Sequence, residues 1–277
     1  MQRSAERILT THTGSLPRPP SLLAMMPELD QRGMHARPGF DAEVRRAVAE
    51  IVNKQEQAGV DVVNDGEMGK VLYSTYVTER LTGFDGPSRP IPPSPEAKLF
   101  PSYYASQGAR LSAVLPACTG PVRYVGQELV REDIANLQAA LQGANASEAF
   151  MTAASPGVVW FFLANDYYPS HEAYVFAVAD AMREEYRAIA DAGLVLQLDC
   201  PDLAMGWNRA EFADATVDDF RAVVAMHVAA LNHAIEGIPA DRVRLHLCWG
   251  NAERPHVRDV PIARILDLVY GAHADAI

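Results

Sequence analysis

The chain has 277 residues, 49% of them hydrophobic, and carries 35 acidic against 24 basic side chains for a formal charge of -11. A surplus of that sign opposes a phosphate backbone, which is bound through clustered Lys and Arg, so nucleic acid is not an expected partner. No 18-residue apolar run marks a membrane span, and Met1-Gln-Arg-Ser-Ala-Glu-Arg7 lacks an apolar secretory segment; the three cysteines (Cys118, Cys200 and Cys248) make no disulfide framework, so a cytoplasmic protein with free thiols is expected.

In chain order, the first predicted strand is Ile8–Thr13. A helix over Asp41–Ala58 follows, because Val44, Ala47, Val48, Ile51 and Val52 recur at the spacing of one helical face. Gly59 caps it, and a strand at Val60–Val63 comes almost at once. The Pro-rich stretch within residues 84–113 is too long for a plain connection and is expected to be an insertion near an active-site mouth. Further strands are predicted at Thr119–Val125, Ala149–Ala153, Leu194–Leu198 and Val243–Cys248. Between them fall helices at Ala173–Ala192, capped by Gly193, and near Phe220–Ile235. Helices alternating with short strands predict an α/β fold with parallel pairing. A last helix, Ile262–Tyr270, ends at Gly271 and leads into Ala272–Ile277, which has the pattern of a seventh strand just beginning. The expectation is one domain over residues 1–277, a TIM (β/α)8 barrel truncated after strand six, with an open six-stranded sheet as the other possibility.

Chemistry gathers at the predicted strand ends. These carry Thr13-Gly14-Ser15, Asn64-Asp65-Gly66-Glu67, Cys118 with Thr119-Gly120-Pro121, Asp199-Cys200-Pro201-Asp202, and His246-Leu247-Cys248-Trp249-Gly250-Asn251. In a barrel, catalytic groups come from the C-terminal ends of several strands. Residues two apart on a strand share a face, so His246 and Cys248 point the same way, and they are two of the donor types zinc prefers.

Taken together, Thr10–Arg18, Asn64–Glu67, Thr119–Val122, Gln197–Leu203 and His246–Cys248 resemble, in order, the motifs of the cobalamin-independent methionine synthases and their single-barrel relatives, including the epoxyalkane–coenzyme M transferases. The resemblance implies a zinc-activated thiol nucleophile that receives a methyl or alkyl group, homocysteine being the first candidate acceptor. It implies zinc held by His246 and Cys248 together with a Glu and a Cys expected beyond Ile277, so that these residues alone would hold the metal weakly. It also implies a thiol substrate positioned by Gly14, Ser15, Glu67 and Asp199, with the two carboxylates suited to an ammonium. The folate-using members carry a Trp after the Thr-Gly-Pro-Val motif; the matching position here is Gln127, which implies a donor other than folate. The partners expected are therefore a small-molecule thiol and a methyl or alkyl donor.

Other residues have plainer expectations. Cys118 suits a small core position and Cys200 a pocket wall. His227 and His233 suit structural or solvated helix positions, and His12 either packing or the barrel mouth. Asp65 suits a turn, while Lys70, Tyr73 and Tyr76 are candidates for the donor side and Trp160, Phe161 and Phe162 for core or wall. Three readings stand beside zinc-dependent transfer to homocysteine: alkylation of a different thiol, a metal-free barrel of the uroporphyrinogen decarboxylase type that holds an anion with Arg, and a non-catalytic binding protein.

Overall fold

The computed structural model describes residues 1–26, 38–72, 75–107, 114–250 and 255–277. Tyr73, Asn251 and the final six residues of the 84–113 segment lie outside the described residues.

The helices are α1 (Pro20–Leu23), α2 (Phe40–Gln57), α3 (Pro101–Gln107), α4 (Gln127–Ala140), α5 (Pro156–Phe162), α6 (His171–Asp191), α7 (Asp202–Met205), α8 (Val217–Ala234) and α9 (Leu266–Val269). The strands are β1 (Val62–Val63), β2 (Arg89–Pro90), β3 (Val114–Leu115), β4 (Glu148–Ala154), β5 (Val195–Asp199) and β6 (Val243–His246). Four of them form one parallel sheet in the order β1-β4-β5-β6. The fold is therefore α/β with crossover helices, as the alternating pattern requires. Tyr174, Val175, Val178, Met182, Tyr186 and Ile189 form the buried face of α6. Helix α8 packs beside it, begun by a capping box between Thr216 and Asp219. Among the described residues no helix is long and apolar enough to cross a membrane.

Three segments differ from expectation. Thr119–Val125 is not a strand of the parallel sheet, because β1 pairs directly with β4, Val62 against Glu148 and Val63 against Ala149. Pro121 has no amide hydrogen for a ladder. The segment instead bonds to residues 80–83, with Thr119 N–H donating to Gly83 O (2.8 Å) and Thr82 N–H to Arg123 O (2.9 Å). Ile8–Thr13 is not a regular strand either, yet it runs beside β1, since Thr10 O accepts from both Asp61 N (3.1 Å) and Val62 N (3.0 Å). The predicted helix at Ile262–Tyr270 is broken into a 3-10 turn at Ile262–Arg264 followed by α9. The segment after it behaves as its pattern suggests: Leu245 N–H donates to Ala276 O at 2.9 Å, in a parallel bridge beside β6.

The 84–107 segment contributes β2, which pairs antiparallel with β3 beyond it, and a one-turn 3-10 helix ahead of α3. It is tied down by an Arg89–Asp166 ion pair and by Arg258 N–H donating to the buried Glu96 carboxylate (2.9 Å).

Candidate active site at the strand ends

Parallel register decides which side chains meet. It pairs Thr152 with Gln197 and Gln197 with Arg244, and further along it pairs Ala154 with Asp199 and Asp199 with His246. Alternate strand residues share a face, so Thr152, Gln197 and Arg244 make one row across the sheet and Asp199 and His246 the next, at the C-terminal end. This face borders a cavity of 610 Å³ lined by His12, Thr13, Val195, Gln197, Arg244 and His246 among others. Gln197 ties the row together: its Nε2 donates to Thr13 O (2.6 Å) and to Asp199 Oδ1 (2.8 Å), and its Oε1 accepts from Arg244 Nε (2.8 Å).

Asp199 is buried, and its Oδ1 also accepts from His246 Nδ1 at 2.9 Å. The bond to Asp199, and after it a hydrogen bond with the Cys248 side chain, push His246 up to about 10 against the opposing effect of burial. The imidazole and the thiol are therefore close neighbours. One ring nitrogen is anchored by a carboxylate, an arrangement that orients metal-binding histidines. An imidazole and a thiol so placed fit the donor chemistry of zinc. Among the described residues no group of three His, Cys, Asp or Glu side chains is arranged to hold a metal, so these donors form a pair. Cys200 does not complete it: its buried thiol bonds to Leu198 O at 3.6 Å, and burial first, with Asp202 next, pushes it well above the ordinary thiol range.

Glu67 approaches from the turn after β1. It is the one non-glycine among the described residues with a positive φ, 57°. A left-handed backbone costs a side-chain-bearing residue roughly 1–2 kcal/mol, so the surroundings must impose it. Asp65 Oδ1 accepts from Glu67 N (2.9 Å), and Arg18 Nη2 donates to Glu67 O (2.7 Å) and to Lys70 O. The carboxyl end is held by the Thr152 hydroxyl, which donates to Oε1 at 3.0 Å. Gly14 closes the other side. A Cβ there would lie 2.5 Å from Glu67 Oε1 and 2.9 Å from Thr152 Cγ2, and its φ of 142° disfavours any side chain, so only glycine fits. Burial first, and the nearby Asp199 charge second, raise the Glu67 carboxyl to about 7, with Lys70 opposing.

The structure thus brings together Gly14, Glu67, Asp199, His246 and Cys248, through direct contacts and neighbouring charges. Ser15 sits exposed on the same turn as Gly14. The Gly14 N–H is directed to His12 Nδ1 (3.2 Å), so it is not free to receive a carboxylate. Lys70 and Tyr76 are buried behind the site rather than lining it: Lys70 Nζ donates to Thr152 O, and the Tyr76 hydroxyl donates to Glu185 at 2.6 Å. Gln127 stands at the start of α4, outside the sheet, with its Nε2 donating to Glu184 (2.8 Å). The inference about folate drawn from Gln127 therefore lapses, because the segment preceding it never enters the sheet. The sheet partner of β1 is β4, which runs into Ser155-Pro156-Gly157 instead. His227 is structural, bonded to Asp202 (2.7 Å) and His171 (2.8 Å), while His233 bonds Asp180 (2.6 Å). His12 has both roles expected of it, since it packs edge-on to Phe150 and lines the cavity.

Sequence reasoning missed Thr152, Gln197 and Arg244. The available signal was a polar side chain within each buried strand, which needs a partner to be tolerated there.

No protein-family profile matches the chain. In sequence it is 26% identical over 248 residues to a methionine synthase of Pyrococcus furiosus, covering 87% of this chain and 62% of that protein. A methionine synthase of Sulfolobus acidocaldarius is 24% identical over 259 residues, covering 92% and 66%. Among solved structures, a B12-independent methionine synthase from Shewanella sp. W3-18-1 in complex with selenomethionine superposes with a TM-score of 0.60 at 22% identity, covering 87% of this chain and 61% of that one. The chain spans about three fifths of the length of the Pyrococcus and Shewanella proteins, and it is similar to methionine synthases in sequence and to a B12-independent one in fold.

Proposed function

We propose that the protein is a transferase of the methionine-synthase-like group, moving a methyl or alkyl group onto the sulfur of an amino-acid thiol, with homocysteine the favoured acceptor. The observation that carries this reading is the convergence of an imidazole–thiol pair, His246 and Cys248, with two buried carboxylates, Asp199 and Glu67, at the strand ends. The names of the sequence relatives and the selenomethionine held by the Shewanella neighbour support it. We place the sheet within a (β/α)8 barrel and residues 84–113 beside its mouth.

His246 and Cys248 would hold zinc, which when bound keeps a thiol as thiolate well below its usual pKa of about 8.5. Asp199 keeps the imidazole oriented through Nδ1. Glu67 and Asp199 receive the substrate ammonium, Glu67 giving up its proton as that cation arrives. The exposed Ser15 hydroxyl serves the substrate carboxylate. The donor carbon then leaves its own group and bonds to the sulfur.

Two buried carboxylates favour a thiol bearing a cation over one without. Anion capture by arginine is disfavoured, because Arg18 and Arg244 already donate to protein oxygens. Cobalt substitution tests the metal assignment: a thiolate-to-cobalt absorption band should appear, and Cys248→Ala should abolish it. A band that survives in C248A and H246A would overturn it. Methyl transfer to homocysteine, lost in both variants, is the matching activity measurement.

A further inference from the structure

We propose that Arg18 is a positioning residue for substrate recognition, locking the turn that aims Glu67 into the site; the proposal rests on Glu67 receiving the substrate ammonium. Arg18 lies three residues after Ser15, on the segment that also supplies Gly14. Its Nη2 donates to two carbonyls three residues apart in the turn, Glu67 O and Lys70 O. One guanidinium nitrogen thus spans the turn at the residue where the backbone is left-handed without a glycine to permit it. Two more bonds fasten the same two segments: Leu16 N–H to Gly66 O (3.1 Å) and Asn64 Nδ2 to Gly14 O (3.1 Å). The carboxyl that results lies against Gly14, where no Cβ has room. Glu67 O also accepts from Lys70 N–H (3.1 Å), but that bond lies within the turn. Among the described residues Arg18 is the side chain that fastens this carbonyl to the Gly14 segment, and without it the turn is freer to relax toward an ordinary φ. Glu67 then swings away from Gly14 and Thr152, and the carboxylate pair that selects an amine is lost. Lys70 does not substitute, because its Nζ is committed to Thr152 O.

The test compares Arg18→Gln and Arg18→Lys with Glu67→Gln, using homocysteine and its des-amino analogue 4-mercaptobutanoate. Selectivity, the ratio of kcat/KM for the two thiols, should fall about tenfold in R18Q, carried by KM for homocysteine, and by less in R18K. A role confined to stability would lower the melting temperature and leave that ratio unchanged. A second readout needs no activity: the Glu67 carboxyl, followed by carbon-13 NMR, should titrate lower in R18Q than its present value of about 7 as it leaves its buried place. Asp199, Asp65 and Lys70 face the same carboxyl and are unaltered in these variants. R18Q with unchanged selectivity and unchanged Glu67 titration overturns the proposal. If E67Q leaves selectivity unchanged while R18Q still shifts the Glu67 titration, the ammonium assignment fails and the positioning by Arg18 stands.

Discussion

Two buried glutamates in this molecule are treated in opposite ways. Glu185, on α6 and fully buried, is surrounded by donors: the Tyr76 and Tyr124 hydroxyls at 2.6 Å each and Arg80 Nη1 at 3.2 Å. Arg80 in turn reaches Asp133 at 2.5 Å. Glu67, almost as buried, takes one hydrogen bond at its carboxyl, from Thr152, and has a second carboxylate, Asp199, for a neighbour. Where charge serves only to join elements, its acceptor capacity is filled by the protein itself. Where capacity is left over, burial becomes a cost that a ligand can relieve, because an unpaired charge in a low dielectric is strained toward its neutral form.

The largest expected effect tests the filled side of that contrast. Arg80→Met leaves Glu185 and Asp133 buried without their cation, and removing one partner of a buried pair typically costs about 3–5 kcal/mol. Urea unfolding measures it, and a loss below about 1 kcal/mol would show that the cluster is less closed than its geometry implies.

Next comes the pH dependence of Glu67. Its folded carboxyl titrates near 7 against an ordinary 4.5, so the sign follows the proton. The stabilising preference for the protonated form is fully present below about pH 4.5 and is lost as the pH rises through about 7. Relative to wild type, Glu67→Gln should therefore gain stability between those values, on the order of 3 kcal/mol by pH 8. Denaturant midpoints of the two proteins across that range should diverge; parallel curves would mean that Glu67 is better satisfied than its single donor indicates.

A smaller effect is expected of Gly14→Ala. The added methyl displaces Glu67 and Thr152 rather than the global core, so the fold should persist while KM for homocysteine rises about tenfold or more, a loss of roughly 1–3 kcal/mol in binding. Steady-state kinetics together with a melting curve separate the two. The smallest effect belongs to Gln127→Ala, which removes a partly exposed bond to Glu184 and should shift stability by less than about 0.5 kcal/mol with no change in donor use. A marked change in donor preference would return Gln127 to the site.

Much of the arrangement could be read from residue patterns. The helical stripe of Val44 to Val52 and that of Val175 to Ile189 mark faces that are in fact buried, and both are followed by short strands of the parallel sheet. Glu67, Asp199 and His246 stand at the ends of runs whose period and turn residues made those ends visible. Thr119-Gly-Pro-Val misled because a motif of turn-forming residues looks alike at the end of a sheet strand and in an outer loop. What separated the two was pairing between distant segments, β1 with β4, and no local pattern encodes that. Thr152, Gln197 and Arg244 were missed for the same reason. Their significance lies in the register that aligns three strands, and each strand taken alone shows only a polar residue or two among apolar ones.

That register carries a further consequence. Asp199 and His246 are direct partners across the β5–β6 ladder, and the ladder continues beyond them through Cys200 N–H to His246 O at 2.9 Å. Their separation is set by main-chain spacing, so loops around the mouth can lengthen, shorten or change composition without altering it. A one-residue slip of β6, by contrast, would exchange every inward side chain for an outward one, setting a leucine where the imidazole stands. Variation in this architecture is therefore cheap at the rim and all-or-none at the sheet.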